Sequence, residues 1–331
     1  MKATIITFVI LHLLLGNDSF AKLISETALT SPDDFRTYLK TYDTQLTSSP
    51  SIEPDSTMLN ETFSFGSRIS AIVYEVDGLK IRGFVFKPNA SGTYPGLIYN
   101  RGGNRDFGSL TFKGSSIGPA QLAEFASWGY VVIASQYRGA GGSEGEDHMG
   151  GDDVNDILAL PGVLDELDDV DTSRLGLLGW SRGSMMSFQA LKKGLKVNAV
   201  IVGGLMTNLE LSLKHRPVFD KVYTEMDPAY VKDKTAWLRE RSAILWVDKL
   251  PKIPMLVLNG SSDWRTRSSQ AINFVEVLDE KRYPVRFIMY EGADHAISQY
   301  RKDVFMQVRS WLDRYVRDQT PAPVIEYTPK S

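Results

Sequence analysis

A serine, an aspartate and a histidine, far apart in the chain, carry the chemistry this sequence can perform. Ser181 sits in Gly179-Trp180-Ser181-Arg182-Gly183, after the apolar run Arg174-Leu-Gly-Leu-Leu and before Ser184-Met185-Met186. Flanking glycines suit a turn so tight that a β-carbon on either side would clash. A G-x-S-x-G turn between a strand and a helix pushes the serine hydroxyl out above a sheet, in a strained backbone position. A serine hydroxyl is a poor nucleophile until a base takes its proton. Beyond the N-terminal apolar run the chain offers His148, His215 and His295. Of these, His295 alone stands directly after an expected sheet strand, in Glu291-Gly-Ala-Asp294-His295. Asp263 also follows a strand, in Asn259-Gly-Ser-Ser-Asp263-Trp264-Arg265. A carboxylate there can fix the imidazole tautomer and stabilise the imidazolium. Asp294 adjoins His295, but consecutive side chains seldom face each other, which favours Asp263. The expected chemistry is acyl transfer, with Ser181 as nucleophile, His295 as base and Asp263 as its orienting acid.

An acyl-transfer site also needs donors for the oxyanion. The helix after Ser181 aims its first amides at the serine, so the backbone of Arg182 is one candidate. The strand Tyr94–Tyr99 runs into Asn100-Arg101-Gly102-Gly103-Asn104, and the glycine pair can bring backbone amides close to a ligand. Gly102 and Gly103 are the candidates for the second half of the hole. Arg101, Trp180, Trp264 and Arg265 are the candidate substrate contacts. A second match, Gly141-Gly-Ser143-Glu-Gly145, runs on into Glu146, Asp147 and His148 with no helix directly after it, and reads as a surface loop. Arg138 is expected to pair with an acid such as Asp152 or Asp156, His215 to be solvated beside Lys214 and Arg216, and Asp77-Gly78 to be turn chemistry alone.

The elements that must position these residues follow from periodicity. Strands are expected at 69–76, 79–87, 94–99, 130–137, the run ending at Gly179, 197–203, 255–258 and 285–290. Asp77-Gly78 joins the first two as a hairpin. Helices are expected at 121–128, 152–167, after Ser181, 269–280 and 301–316. This alternation predicts an α/β chain with a mostly parallel eight-stranded sheet covered by helices on both faces. Functional groups then collect at the carboxyl ends of the strands. Residues 205 to 250 break the alternation with short helical stretches, the place for a cap over the site. Residues 22–64 read as an N-terminal arm with helical spacing at 33–42, residues 65–317 as one catalytic domain, and 318–331 as a tail.

Composition narrows the function classes. The 331 residues are 43% hydrophobic and 23% charged, ordinary for a globular chain. A net charge of -3 and no basic cluster argue against a nucleic-acid partner. Few histidines and no cysteine leave no zinc-type ligand set, and the chemistry above needs neither metal nor organic cofactor. Met1-Lys2, the apolar run Ala3 to Leu15, and small residues at Ser19 and Ala21 read as a signal peptide cut after Ala21. The run falls short of the roughly 20 residues a spanning helix requires, so no stable membrane anchor is expected after cleavage. Export without disulfides fits a periplasmic or secreted location in bacteria.

Gly-Trp-Ser181-Arg-Gly, Asn-Gly-Ser-Ser-Asp263-Trp-Arg, Glu-Gly-Ala-Asp-His295 and Tyr137-Arg138-Gly139 together resemble the catalytic domain of the prolyl oligopeptidase family. The resemblance spans residues 65 to 317 and is strongest from Gly151 onward. It implies an α/β-hydrolase fold, the chain order serine, aspartate, histidine, and a serine peptidase acting on peptides. Three departures accompany it. About 65 residues before the domain cannot build the propeller that large members carry. Ser184 replaces a common second glycine after the elbow. Arg101 stands where many members offer a tyrosine to the oxyanion, which puts proline-specific cleavage in doubt. Small esters or lactones are therefore the competing substrate class, and a non-catalytic binding protein on the same fold is a remoter reading.

Overall fold

The computed structural model describes residues 21–43, 56–110 and 116–327. Residues 1–20 of the expected signal segment 1–21 lie outside them. Nine strands form one sheet: β1 Lys22–Leu29, β2 Arg68–Val76, β3 Leu79–Lys87, β4 Tyr94–Asn100, β5 Val131–Ser135, β6 Val170–Trp180, β7 Ala199–Gly203, β8 Met255–Gly260 and β9 Val285–Tyr290. Their order is β1-β2-β3-β5-β4-β6-β7-β8-β9. The first three pair antiparallel, β3 pairs antiparallel with β5, and every later neighbour is parallel. The sheet therefore has one strand more than the eight expected. The arm's Lys22–Leu29 joins the edge against β2, with most of its residues exposed. A strand with little burial on either face carries no strong alternation of apolar residues, so its sequence gives little signal.

Helices follow the strands: α1 Pro32–Asp43, α2 Ser56–Ser64, α3 Pro119–Ser127, α4 Asn155–Leu158, α5 Leu160–Asp165, α6 Arg182–Lys192, α7 Leu209–His215, α8 Val218–Met226, α9 Pro228–Lys232, α10 Lys234–Glu240, α11 Ser268–Glu280 and α12 Arg301–Leu312. Successive strand residues point to opposite faces. Ile98, Leu177, Val200 and Val257 accordingly enter one core with α5, α6 and α11. Leu97, Leu178, Ile201 and Leu256 enter the other with α3 and α12. Central strands apolar on both sides are what a sheet covered on both faces requires. The single helix expected over 152–167 is broken, with Pro161 in the first turn of α5.

The parallel strands all point their carboxyl ends to one edge, where β4, β6, β7, β8 and β9 deliver residues 101–103, 181, 204, 263 and 295. The segment 205–250 folds as α7 to α10 and two short 3-10 turns. Tyr223, Tyr230 and Trp237 form its aromatic centre, with ring centroids 4.9 to 5.6 Å apart. Buried Arg241 ties it to the body. Its Nε donates to the Met149 carbonyl at 2.9 Å, and its guanidinium stacks 3.9 Å from the Trp237 ring centroid. Arg138 pairs with Asp156, through Nε at 3.0 Å and a terminal nitrogen at 2.7 Å. Asp77 is more than a turn residue, since it accepts from Arg138 and Asn155. No helix among the described residues is long and apolar enough to cross a membrane.

Candidate active site

Ser181 stands between β6 and α6 with φ 58° and ψ -126°. An L-residue adopts this backbone only where the surroundings enforce it. Here the enforcement is a hydrogen bond from the Ser181 amide to the Gly203 carbonyl at 2.9 Å and two crowded glycines. A β-carbon on Gly183 would lie 1.9 Å from the Asn100 carbonyl oxygen, and one on Gly179 would lie 2.3 Å from that of Gly183. Only glycine fits at either flank. Ser184, the departure from a second glycine, bridges the elbow to the next segment. Its hydroxyl donates to the Ser181 carbonyl at 2.6 Å and accepts from the Met206 amide at 2.9 Å.

Asp263 and His295 arrive from the ends of β8 and β9. Asp263 Oδ2 is 2.7 Å from His295 Nδ1. The same carboxylate accepts from the amides of Arg265 and Thr266 and from the Thr266 hydroxyl, at 2.8 to 2.9 Å. Burial pushes the Asp263 carboxyl up, but the hydrogen bond and charge of His295 and the Thr266 donors outweigh it, and the net effect lowers its pKa. Asp294 turns to the amides of Ala296 and Ser298 instead. The His295 carbonyl accepts from the Trp180 indole at 3.0 Å, which fixes the loop against β6. Ser181 and His295 line one cleft, together with Gly102, Gly103 and Trp180. His148 and His215 line neither this cleft nor the cavity beside it.

Gly204, unmarked by any motif, sets the room for the imidazole. Its φ is +53°, and a β-carbon there would lie 2.7 Å from His295 Cε1. Gly204→Ala is expected to cost about 1–2 kcal/mol in backbone strain alone. It is also expected to lower kcat by about a hundredfold by displacing the ring. Thermal unfolding and steady-state kinetics on one preparation check both.

The second strand-end loop passes directly over the serine. A β-carbon on Gly102 would lie 3.1 Å from Ser181 Cβ, and Gly103 has φ +75° and no room for a β-carbon, which would lie 1.8 Å from the Phe107 carbonyl oxygen. The Arg182 amide opens α6 and has no acceptor within that helix. Both candidate sources of oxyanion donors therefore border the serine. The Arg182 side chain then does something its sequence gives no hint of. It turns into the body, 1% exposed, and donates to Asp147 twice and to Asp153 once, each at 2.6 Å. It also donates to the Gly103 carbonyl at 3.2 Å. Asp147 in turn accepts from the Arg105 amide at 2.8 Å. The loop carrying the second G-x-S-x-G match thus braces both halves of the site through Asp147, while its Ser143 accepts from the Arg82 amide at the far end.

The prolyl oligopeptidase family model matches residues 117–319 of this chain. The chain belongs to that family. It is 25% identical over 250 residues to the uncharacterized peptidase YtmA of Bacillus subtilis, covering 74% of this chain and 93% of that one. It is 27% identical over 211 residues to the acylamino-acid-releasing enzyme of Sus scrofa, of which it spans only 28%. Among solved structures, an acylaminoacyl peptidase from Pyrococcus horikoshii superposes with a TM-score of 0.64 at 18% identity, over 78% of this chain and 43% of that one. An esterase from Pyrococcus furiosus superposes with a TM-score of 0.59 at 16% identity, over 76% of this chain and 93% of that one. These likenesses establish the α/β-hydrolase fold. Membership of the prolyl oligopeptidase family makes the chain a serine hydrolase of the peptidase type.

Within this family member the four candidate substrate contacts separate. Arg101 does not face the cleft. It is 1% exposed, and its guanidinium donates to the carbonyls of Gln136, Gly102 and Arg105 at 2.6 to 3.0 Å. Burial and the charge of Arg182 pull its pKa down to about 10, so it stays protonated at neutral pH. An arginine that saturates three loop carbonyls is a brace, and a tyrosine-like contribution to the oxyanion is absent at this position. Trp180 is buried and walls the cleft. Trp264, 63% exposed, borders an adjoining cavity of about 170 Å³ that Ser181 also lines, and Arg265 lines both that cavity and the cleft with His295.

Proposed function

We propose that this chain is an exported serine peptidase that cleaves acyl bonds through an acyl-enzyme intermediate. Ser181 attacks the carbonyl carbon. His295 takes the hydroxyl proton and returns it to the leaving amine, and Asp263 holds the imidazole and its charge. The backbone amides of Arg182 and of the Gly102-Gly103 loop receive the oxyanion. Water then cleaves the ester of Ser181 by the same proton path in reverse. The observation that carries this reading is the 2.7 Å bond between Asp263 and His295, in a cleft that Ser181 also lines. Export rests on the apolar N-terminal run with Ser19 and Ala21 before the cut.

Hydrolysis of small esters is the second reading, favoured by the modest cavity beside Ser181. The test is a ratio of kcat/KM for a short acyl ester and a panel of aminoacyl anilides, with Ser181→Ala as the blank. Anilide cleavage within about a hundredfold of the ester rate supports a peptidase. Ester turnover without anilide cleavage replaces the peptidase reading with an esterase.

A further inference from the structure

The cavity beside Ser181 holds two cations that have no counter-ion among the described residues. Arg216, from the end of α7, lies over the Phe219 ring at 4.3 Å and over the Trp264 ring at 5.2 Å. Arg265 lies 5.4 Å from the centroid of the same Trp264 ring. Both line the cavity, with Phe219, Met149 and Met206 supplying apolar wall. Among the described residues no carboxylate lies within 4.0 Å of either guanidinium, and neither donates a hydrogen bond. The nearby acids are spent elsewhere. Asp263 serves His295 and Thr266, Asp147 and Asp153 neutralise Arg182, and Glu225 pairs with Arg105 and Lys221. Burial first, and then the charge of Arg265, lower the pKa of Arg216, partly offset by Tyr223 and Asp263.

Holding two guanidiniums on one indole without an acceptor costs energy that an incoming anion recovers. The side of the serine on which they lie identifies which part of the substrate brings that anion. The leaving group must sit near His295, which protonates it. Arg216 lines only the cavity that touches Ser181 and not His295, whereas Arg265 stands at the junction and also lines the cleft with His295. The cavity is therefore on the acyl side. We propose that it selects acyl residues whose side chain ends in a carboxylate, glutamyl or aspartyl, with Arg216 and Arg265 binding the carboxylate and the apolar wall taking the methylenes. This rests on the acyl-transfer reading of Ser181.

The test compares thiobenzyl esters of N-acetyl-glutamate and N-acetyl-glutamine, which differ in charge but hardly in shape. A charge-assisted, partly buried contact predicts a Glu/Gln ratio in kcat/KM of about 10 to 100. Arg216→Gln is expected to bring the ratio near one. Arg216→Glu is expected to reverse it in favour of the N-acetyl-lysine ester, an outcome that loss of packing cannot produce. Arg265→Gln gives an independent reduction of the ratio if Arg216 variants misfold. A wild-type ratio near one, with both esters turned over and both silent in Ser181→Ala, overturns this proposal and leaves the acyl-transfer reading standing. A high ratio that survives in Arg216→Gln and in Arg265→Gln also overturns it.

Discussion

Ser181→Ala is expected to reduce kcat by about a millionfold while leaving the protein folded. The size follows from the chemistry. Without the hydroxyl no acyl-enzyme forms, and the remaining oxyanion donors and binding contacts supply only the residual rate over water, about 10³- to 10⁴-fold. The stability side follows from the geometry. Ser181 is the residue before α6, yet its side chain makes no capping hydrogen bond. The elbow is held by backbone bonds and by its glycines, all of which alanine preserves. Thermal unfolding should therefore shift little, and labelling by a fluorophosphonate should disappear. Retention of more than about a hundredth of the activity would place the nucleophile elsewhere.

Asp147→Asn is expected to lower kcat by about a hundredfold with little change in KM, and the unfolding temperature by roughly 10 °C. Asp147 touches no substrate in the proposed mechanism. It faces Arg182 with both oxygens and accepts two further amides, from Arg105 and Met149. Burial pushes its carboxyl up, but the charge and hydrogen bonds of Arg182 outweigh this and hold it below the usual range. Asparagine replaces one acceptor with a donor that meets the donors of Arg182. Breaking one partner of a buried pair costs about 3–5 kcal/mol. Because Arg182 also donates to Gly103, the strain reaches both proposed sources of oxyanion donors at once. Ser143→Ala, in the same loop but remote from Arg182, should change neither kcat nor KM. A falling unfolding temperature with unchanged kcat would reduce Asp147 to a purely structural residue.

The two cases mark what a reader of the sequence can and cannot see. The elbow is legible because Gly179, Ser181 and Gly183 fall within five residues as one motif, although the atoms that crowd Gly183 come from Asn100 on the neighbouring strand. The strands 79–87 and 285–290 are likewise marked by short apolar runs bounded by turn residues, Asp77-Gly78 before the first and Glu291-Gly292 after the second. Asp263 and His295 are found by position after a strand, before any distance is known. Within 205–250 only short helical stretches are expected; where one begins, such as at Val218 after Pro217, is set by how Phe219, Tyr223 and Met226 pack into the larger core. Arg182, Asp147 and Gly204 escape altogether. Their roles depend on which chain segment lies opposite, 35 residues away for Arg182 and Asp147, and no local pattern encodes that. Arg101 misleads for the same cause. Its place beside the glycine pair suggests a ligand contact, and only the tertiary structure supplies the carbonyls that bury it.

The anchoring of the 205–250 segment has a practical consequence for redesign. Arg241 reaches out of it to the carbonyls of His148 and Met149, one and two positions past Asp147. Transplanting in a segment that lacks this arginine would leave those carbonyls without a donor and the loop free to drift. Drift there moves Asp147, and with it Arg182. Anyone recombining parts among these hydrolases should treat residues 139–151 and 205–250 as one cassette, cut at both places or at neither.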